Sequence, residues 1–347
     1  MKKTPDFDAA ADFIAAHGRV LDRRMFQRLF AGGAAEPVRD AVAVYRNTDG
    51  GFGYGLEPDC RVAASQPATV EMALRLLDLA DALDERLVRD AVDWLVTVAP
   101  AEGGIAFVLP TVSEGPHAPW WVAAEGNPAS LIQTGQICAL LYARGFAHPW
   151  LDRATEVMWL RLATLTEPQA YEMFGVLAFL EHVPDRARAE EAFERIGPLL
   201  LSAGLVELDP DAEGETHGPL AFAALPNSIA RRLFDPAVIE AHLDHLAGAQ
   251  QDDGGWTFNW TSWSPAAEAD WRGFLTVDNL RILRANGRAQ VQRDRGRPSG
   301  ADGFLRQGDP QRRPDVAMLS VKRRWMIRKA ITMGTMASTD PAMISPY

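Results

Sequence analysis

Apolar positions recur along this chain in paired helical stretches joined through loops that carry Gly-Gly. One stretch runs Ala41-Val42-Ala43-Val44-Tyr45 into Thr48-Asp49-Gly50-Gly51-Phe52, then after a loop Gln66, Val70, Ala73, Leu74 and Leu77. A second runs Val92-Asp93-Trp94-Leu95 into Glu102-Gly103-Gly104-Ile105, then Gln133, Ile137, Leu140 and Leu141. A third runs Leu243-Asp244-His245-Leu246 into Gln251-Asp252-Asp253-Gly254-Gly255-Trp256, then Leu275, Val277, Leu280 and Leu283. Each reads as helix, Gly-Gly turn, bulky apolar plug, polar loop and second helix. The glycines supply the positive φ that reverses the chain.

Two weaker pairs lack Gly-Gly: 151–163 with 169–182, and 187–201 with 219–233. An N-terminal pair, 6–16 and 20–31, breaks at His17-Gly18 and brings the number to about six hairpins. Second helices such as 131–144 and 170–181 are apolar on most faces, as buried inner helices are. First helices such as 87–98 and 188–200 alternate charge and apolar at helical spacing, which suits an outer ring. No stretch sustains period-two alternation, so no sheet is expected. The pattern predicts an all-α (α/α)6 toroid over 1–287, with repeats at about 35–80, 87–145, 151–183, 187–234 and 236–287.

The tail, 288–347, changes character. It holds 12 Lys/Arg against 5 Asp/Glu, while residues 1–287 hold 23 against 41. A body so acidic repels nucleic acid. The basic amphipathic segment 316–333 offers contact with anionic lipid. The plainer reading of 288–347 is a low-order or out-of-frame extension, and it is preferred. No run approaches the roughly 18 apolar residues of a membrane span, and Met1-Lys2-Lys3 leads into no apolar run of a secretory leader. Cys60 and Cys138 lie too far apart in sequence for a disulfide framework and suit a reducing cytoplasm.

Gln251-Asp252-Asp253-Gly254-Gly255-Trp256 is similar to the QW repeat of squalene and oxidosqualene cyclases. Asp49-Gly50-Gly51-Phe52-Gly53-Tyr54-Gly55 resembles the GGF repeat of protein prenyltransferase β subunits. The likeness covers roughly residues 35–287 and identifies the chain as resembling the squalene cyclase/prenyltransferase-repeat superfamily. It implies a toroid whose central cavity holds an isoprenoid-like apolar substrate. The catalytic signatures of that superfamily do not carry over. Asp209-Pro210-Asp211-Ala212 ends in Ala where a D-x-D-D run needs Asp, and no DDxxD magnesium site occurs. Asp59 and Cys60 are adjacent rather than spaced as D-x-C, so no zinc or other metal is expected, although His217 completes such a set on paper. No cofactor is expected either.

In this topology the Gly-Gly loops gather at one rim, with inner-helix N-termini facing it. Those termini favour an anionic head. The same loops bring Glu57, Asp59, Glu125, Asp252 and Asp253 against Arg61 and Arg272, and full charges outweigh half-charges. A neutral or cationic head is therefore expected. Trp120, Trp121, Trp260, Trp263 and Trp271 offer faces for a carbocation or a sugar, although core filling is the plainer role of each; Trp256 is a repeat plug. Glu172, after Tyr171, heads an apolar helix and is a candidate general acid; a solvated first-turn glutamate is the alternative. Glu57 and Asp59 pair carboxylates on a Pro58-stiffened loop. Gln66 and Gln133 flank inner-helix starts, where capping is their ordinary role.

Three functions follow from these residues. The first is a terpenoid cyclase- or prenyltransferase-like protein acting on an apolar, isoprenoid ligand. The second is a carbohydrate-active (α/α)6 hydrolase or lyase with Glu57 and Glu172 as its carboxylate pair. The third is a non-catalytic binding toroid.

Overall fold

The computed structural model describes residues 4–212 and 214–289. Expectations for 290–347, including the basic segment 316–333, lie outside the described residues.

The chain is all-helical, and its helices alternate between an outer and an inner ring. The outer ring comprises α1 (Phe7–His17), α3 (Glu36–Ala43), α5 (Glu85–Thr97), α7 (Pro149–Ala163), α9 (Arg186–Ile196) with the short α10 (Leu199–Ser202), and α11 (Pro236–Gly248). The inner ring comprises α2 (Val20–Phe30), α4 (Pro67–Leu79), α6 (Leu131–Arg144), α8 (Ala170–His182) and α12 (Pro265–Ala285). Among the described residues there is no strand, and two isolated bridges, Arg46 to Phe52 and Cys60 to His117, pin loops together.

The inner position expected as a helix over 219–233 is instead two 3-10 turns, Pro219–Ala221 and Ile229–Leu233. Pro226 explains the difference: it lacks an N–H and disfavours helical geometry at Leu225.

Neighbouring inner elements pack around a closed ring. α4 lies on α6, α6 on α8, α8 on the Ile229–Leu233 turn, and α12 on α2. Arg231 donates to Asn286 Oδ1 at 2.6 Å, joining the 3-10 segment to α12. Arg28 donates to the Ala80 carbonyl at 2.6 Å, joining α2 to the end of α4. α6 and α8 approach backbone to backbone, because a Cβ on Gly135 would overlap Gly175 and one on Gly175 would overlap Leu131.

The Gly-Gly turns fit the same scheme. Gly50, Gly103 and Gly254 have φ of 95°, 96° and 87°. Each lies against the next outer helix: Gly50 on Asp90 of α5, Gly103 on Arg153 and Val157 of α7, and Gly254 on Ala9 of α1. The last contact closes the toroid, and reciprocal bonds of 2.7 Å between Gln250 and the Asp6 backbone seal it. The second glycines serve differently. Gly104 also has positive φ, at 74°, whereas Gly51 and Gly255 do not. A Cβ on Gly51 would meet Ser65 and Trp94, and one on Gly255 would meet the Phe13 ring. Trp256, 1% exposed, fills the space behind its turn and donates from Nε1 to the Leu246 carbonyl at 2.8 Å.

The packed body reaches past Gly287, the expected end of the toroid. Arg288 forms ion pairs with Glu240 and Asp244 on α11. Among the described residues no helix is long and apolar enough to cross a membrane.

Candidate active site at the loop rim

Several of the loops that lead from outer to inner elements touch one another at one rim. Ala118 N–H donates to the Asp59 carbonyl at 2.8 Å, joining the first Gly-Gly loop to the second. Tyr171, at the start of α8, meets the His217 ring edge-on at 5.1 Å, bringing in the 203–218 loop. Asn259 donates to the Gly214 carbonyl at 2.8 Å and brings in the 249–264 loop. Trp271 on α12 donates to Asp59 Oδ1 at 3.0 Å and returns to the start.

Asp59 is the junction of this rim. Its carboxylate is 1% exposed and its Oδ1 takes the Trp271 indole N–H. Its own N–H donates to Glu57 Oε2 at 2.8 Å, across a turn that Pro58 stiffens. Glu57, expected as a catalytic acid, thus braces the Asp59 backbone at 2% exposure. A carboxylate so buried keeps its place through hydrogen bonds that replace water.

Charged groups beside this junction fasten the first repeat to the last. Arg61 pairs with Asp270, the residue before Trp271. Arg19 donates to the Leu56 carbonyl at 3.1 Å and pairs with Asp22 at 3.0 Å. Burial tends to lower the Arg19 pKa, but Asp22 and then Asp270 hold it above the ordinary arginine value. Burial raises the Asp270 carboxyl above its ordinary value despite Arg19 and Arg61. It raises the Tyr45 phenol as well.

The expected aromatic residues divide between two groups at the rim and one beside α8. Trp260 stacks on Phe258 at 4.1 Å and meets Trp271 edge-on at 5.7 Å, while Trp271 meets Phe274 at 5.6 Å. Trp120 and Trp121 sit in a second apolar cluster with Cys60, Val62 and Val112, and Trp263 packs against it. Phe107 tilts on Trp121 at 5.3 Å. The buried Nε1 atoms of Trp120 and Trp263 have no hydrogen-bond partner. His217 lies among the rings of Tyr171, Phe174 and Phe222 rather than beside Asp59 and Cys60. Among the described residues no group of three or more His, Cys, Asp and Glu is arranged to hold a metal ion.

Three other expected site residues are spent locally. Glu172 is half-buried, and its Oε2 accepts the Gln169 N–H at 2.9 Å in the capping box of α8. It braces the first turn of α8. Gln66, fully buried, does not cap α4. It bonds Leu109 N–H and Thr111 Oγ1, both at 2.8 Å, and so ties the second Gly-Gly loop to the start of α4. Gln133 accepts from Ser130 Oγ at 3.2 Å.

Two clefts flank the 203–218 loop. One of about 370 Å³ lies between it, α11 and α12, and is lined by Glu207, Asp209, His242, His245 and Asn279. The other, about 360 Å³, lies between the loop and the start of α8, beside His217. Burial holds His242 below the ordinary histidine pKa, and its Nε2 faces the Leu208 carbonyl at 3.0 Å.

The inner helices also carry buried charge that is not among the expected site residues. Glu71 and Arg75 pair at 3.0 Å on α4, and Asp278 and Arg281 at 2.8 Å on α12. Arg75 also covers the Phe274 ring at 5.4 Å, so the two pairs share one neighbourhood. Their signal was present, because Glu71 and Arg75 are an i, i+4 couple within an otherwise apolar helix.

No protein-family model matches this chain, and no curated protein matches it. Among solved structures, a protein from Actinoplanes is similar at 18% identity, with a TM-score of 0.50 over 80% of this chain and 90% of that one. That likeness is one of fold. Two structures of the type II terpene cyclase MstE from Scytonema, one apo and one with its product merosterolic acid A, align at 14% identity. Their TM-scores are 0.47 and 0.46, over 80% of this chain and 86% of theirs.

Proposed function

We propose that this toroid takes an apolar, isoprenoid-class small molecule through the tryptophan rim and presents it to Asp59. The observation that carries the reading is Asp59 itself, a carboxylate 1% exposed, held by the Trp271 indole at the meeting of first and last repeats. In such surroundings a carboxylic acid gives its proton to an alkene, and the carboxylate left behind faces the cation it has made. Indole faces stabilise that cation, which loses a proton to give the neutral product. Trp271 fixes the carboxyl orientation and Glu57 fixes the backbone that carries it, which is preorganisation of the acid.

The acidic rim supports a neutral or cationic ligand head over a diphosphate, since Arg61 is engaged by Asp270 and Arg272 by Asp253. The carbohydrate-active alternative has less support, because Glu172 Oε2 is engaged in capping α8. Native mass spectrometry of the purified protein tests ligand binding. Incubation with linear polyprenols, followed by gas chromatography–mass spectrometry, tests chemistry. The expected result is a bound isoprenoid, with cyclised or isomerised product lost in Asp59→Asn while binding persists. Product formation equal to wild type in Asp59→Asn overturns Asp59 as the acid.

A further inference from the structure

Gln136 on α6 has no exposed surface, and neither its Nε2 nor its Oε1 meets a hydrogen-bond partner. Its direction follows from its neighbours on the helix. Thr134 Oγ1 accepts the Ile105 N–H at 2.9 Å, in the loop of its own hairpin. Cys138 touches Thr155 on the outer helix α7, and Tyr142 bonds the same threonine at 2.7 Å. Thr134, Cys138 and Tyr142 therefore face outwards. Gly135 faces α8 through Gly175, and Arg144 faces α4 through Asp78. A helix turns about 100° per residue, so a two-residue offset is about 200°. Gln136 thus points nearly opposite both Thr134 and Cys138, between α4 and α8, into the lumen of the toroid. It lies about 7.5 Å inside the start of α6, from five residues at 1.5 Å each.

Packing does not explain an amide there. In the surrounding turns of α6 the other polar side chains, Gln133 and Thr134, have partners in Ser130 and Ile105, and an unbranched apolar residue at 136 would fill the volume without burying two donors and two acceptor sites unpaired. The buried charges of α4 and α12 are paired, Arg75 with Glu71 and Arg281 with Asp278. The exception is Asp278 Oδ2, which has none. Asp278 borders a cavity of about 10 Å³, roughly the space of a single water.

We propose that Gln136 reads a neutral polar group, a hydroxyl, carbonyl or amide, on the ligand that enters through the tryptophan rim. This rests on the isoprenoid reading above and narrows it to amphipathic ligands. An amide offers a donor and an acceptor together without charge. The ion pairs on α4 and α12 are neutralised internally, so an ionic head in the lumen would be desolvated with no counter-charge from them. The apolar remainder of the ligand meets Phe274 and the indoles of Trp260 and Trp271.

The test is tryptophan fluorescence quenching by two matched pairs of probes, hexahydrofarnesol with farnesane and dodecanol with dodecane, each delivered from cyclodextrin. The expected result for wild type is that each alcohol binds about tenfold more tightly than its hydrocarbon, the worth of one buried hydrogen bond. In Gln136→Met that preference disappears while hydrocarbon affinity is kept. Gln136→Asn, which withdraws the amide by one methylene, weakens alcohol binding in the same direction and replaces Gln136→Met if circular dichroism shows the latter unfolded. An alcohol preference that survives Gln136→Met, or Gln136→Asn in its place, overturns the proposal, as does equal binding of alcohol and hydrocarbon by wild type. A Gln136-dependent preference shown by the dodecyl pair alone keeps the proposal and sinks the isoprenoid reading. Failure of all four probes to bind sinks both.

Discussion

The indole N–H of Trp271 meets Oδ1 of Asp59 at 3.0 Å across 212 positions of sequence. This one bond ties the last inner helix to the first Gly-Gly loop, and it is made where both groups are buried. Trp271→Phe keeps an aromatic ring against Trp260 and Phe274 but leaves a buried carboxylate oxygen without its donor. The expected cost is about 1–3 kcal/mol of stability, read as a shift in the urea midpoint. Asp59→Asn with Trp271→Phe should cost less than the sum of the two changes, since the pair acts as a unit. Strict additivity would mean that the bond carries no coupling energy.

The closure of the ring makes a second demand at Gly254. It has φ 87° and lies against the Ala9 carbonyl, whereas Gly287 has φ 69° and open space around it. Gly287→Ala therefore measures positive φ alone, about 1 kcal/mol. Gly254→Ala adds overlap with α1 and should cost at least about 2–3 kcal/mol more. Equal melting temperatures for the two variants would show that α1 yields freely at this contact.

Glu181 and His182, adjacent at the end of α8, should oppose each other in pH dependence. Burial raises Glu181 to about 7, partly offset by its bond from Ser228 Oγ. Burial lowers His182 to about 4, with help from Arg186 and Arg144. Between the ordinary carboxyl value and about 7 the folded state holds more protons on Glu181 than the unfolded state, so stability falls as pH rises. Between about 4 and the ordinary histidine value the folded state holds fewer on His182, so stability rises with pH. Wild type should be nearly flat across the overlap. Denaturant melts should show stability rising from pH 4 to 6.5 in Glu181→Gln and falling from pH 4.5 to 7 in His182→Gln, each by about 3 kcal/mol at most. Parallel curves for the two variants would refute the assignment.

Arg288 gives a comparison of chain ends. A chain ending at Gly287 loses the pairs to Glu240 and Asp244, while one ending at Ala289 keeps them. The shorter chain should be less stable by about 1 kcal/mol, the scale of partly exposed ion pairs, and part of the difference should vanish in high salt. Differential scanning calorimetry of both chains decides it.

The sequence by itself determined the helices, their pairing and the Gly-Gly turns, because these rest on local rules. Apolar residues at helical spacing must find a core, and glycine alone takes positive φ without strain. Where a local rule was overridden, the cause was also local, as Pro226 shows at the inner position 219–233. Tertiary structure decided what no spacing encodes. Glu172 could be a buried acid or a capping residue on sequence grounds, and only the fold shows the Gln169 N–H bonded to its Oε2. Gln66 sits where a cap belongs, yet its amide spans to Leu109 and Thr111 because the second loop folds over it. Asp59 becomes a junction only because Gly254 on Ala9 closes the ring and carries α12 back to the first repeat. Gln136 reads in sequence as one of several polar residues on α6, beside Gln133 and Thr134. Its isolation in the lumen appears only once α4, α8 and α7 have taken the other three sides of α6. Helical period is a property of neighbouring residues, but which polar groups are left facing one another is a property of closure, and closure joins residues that the chain keeps far apart.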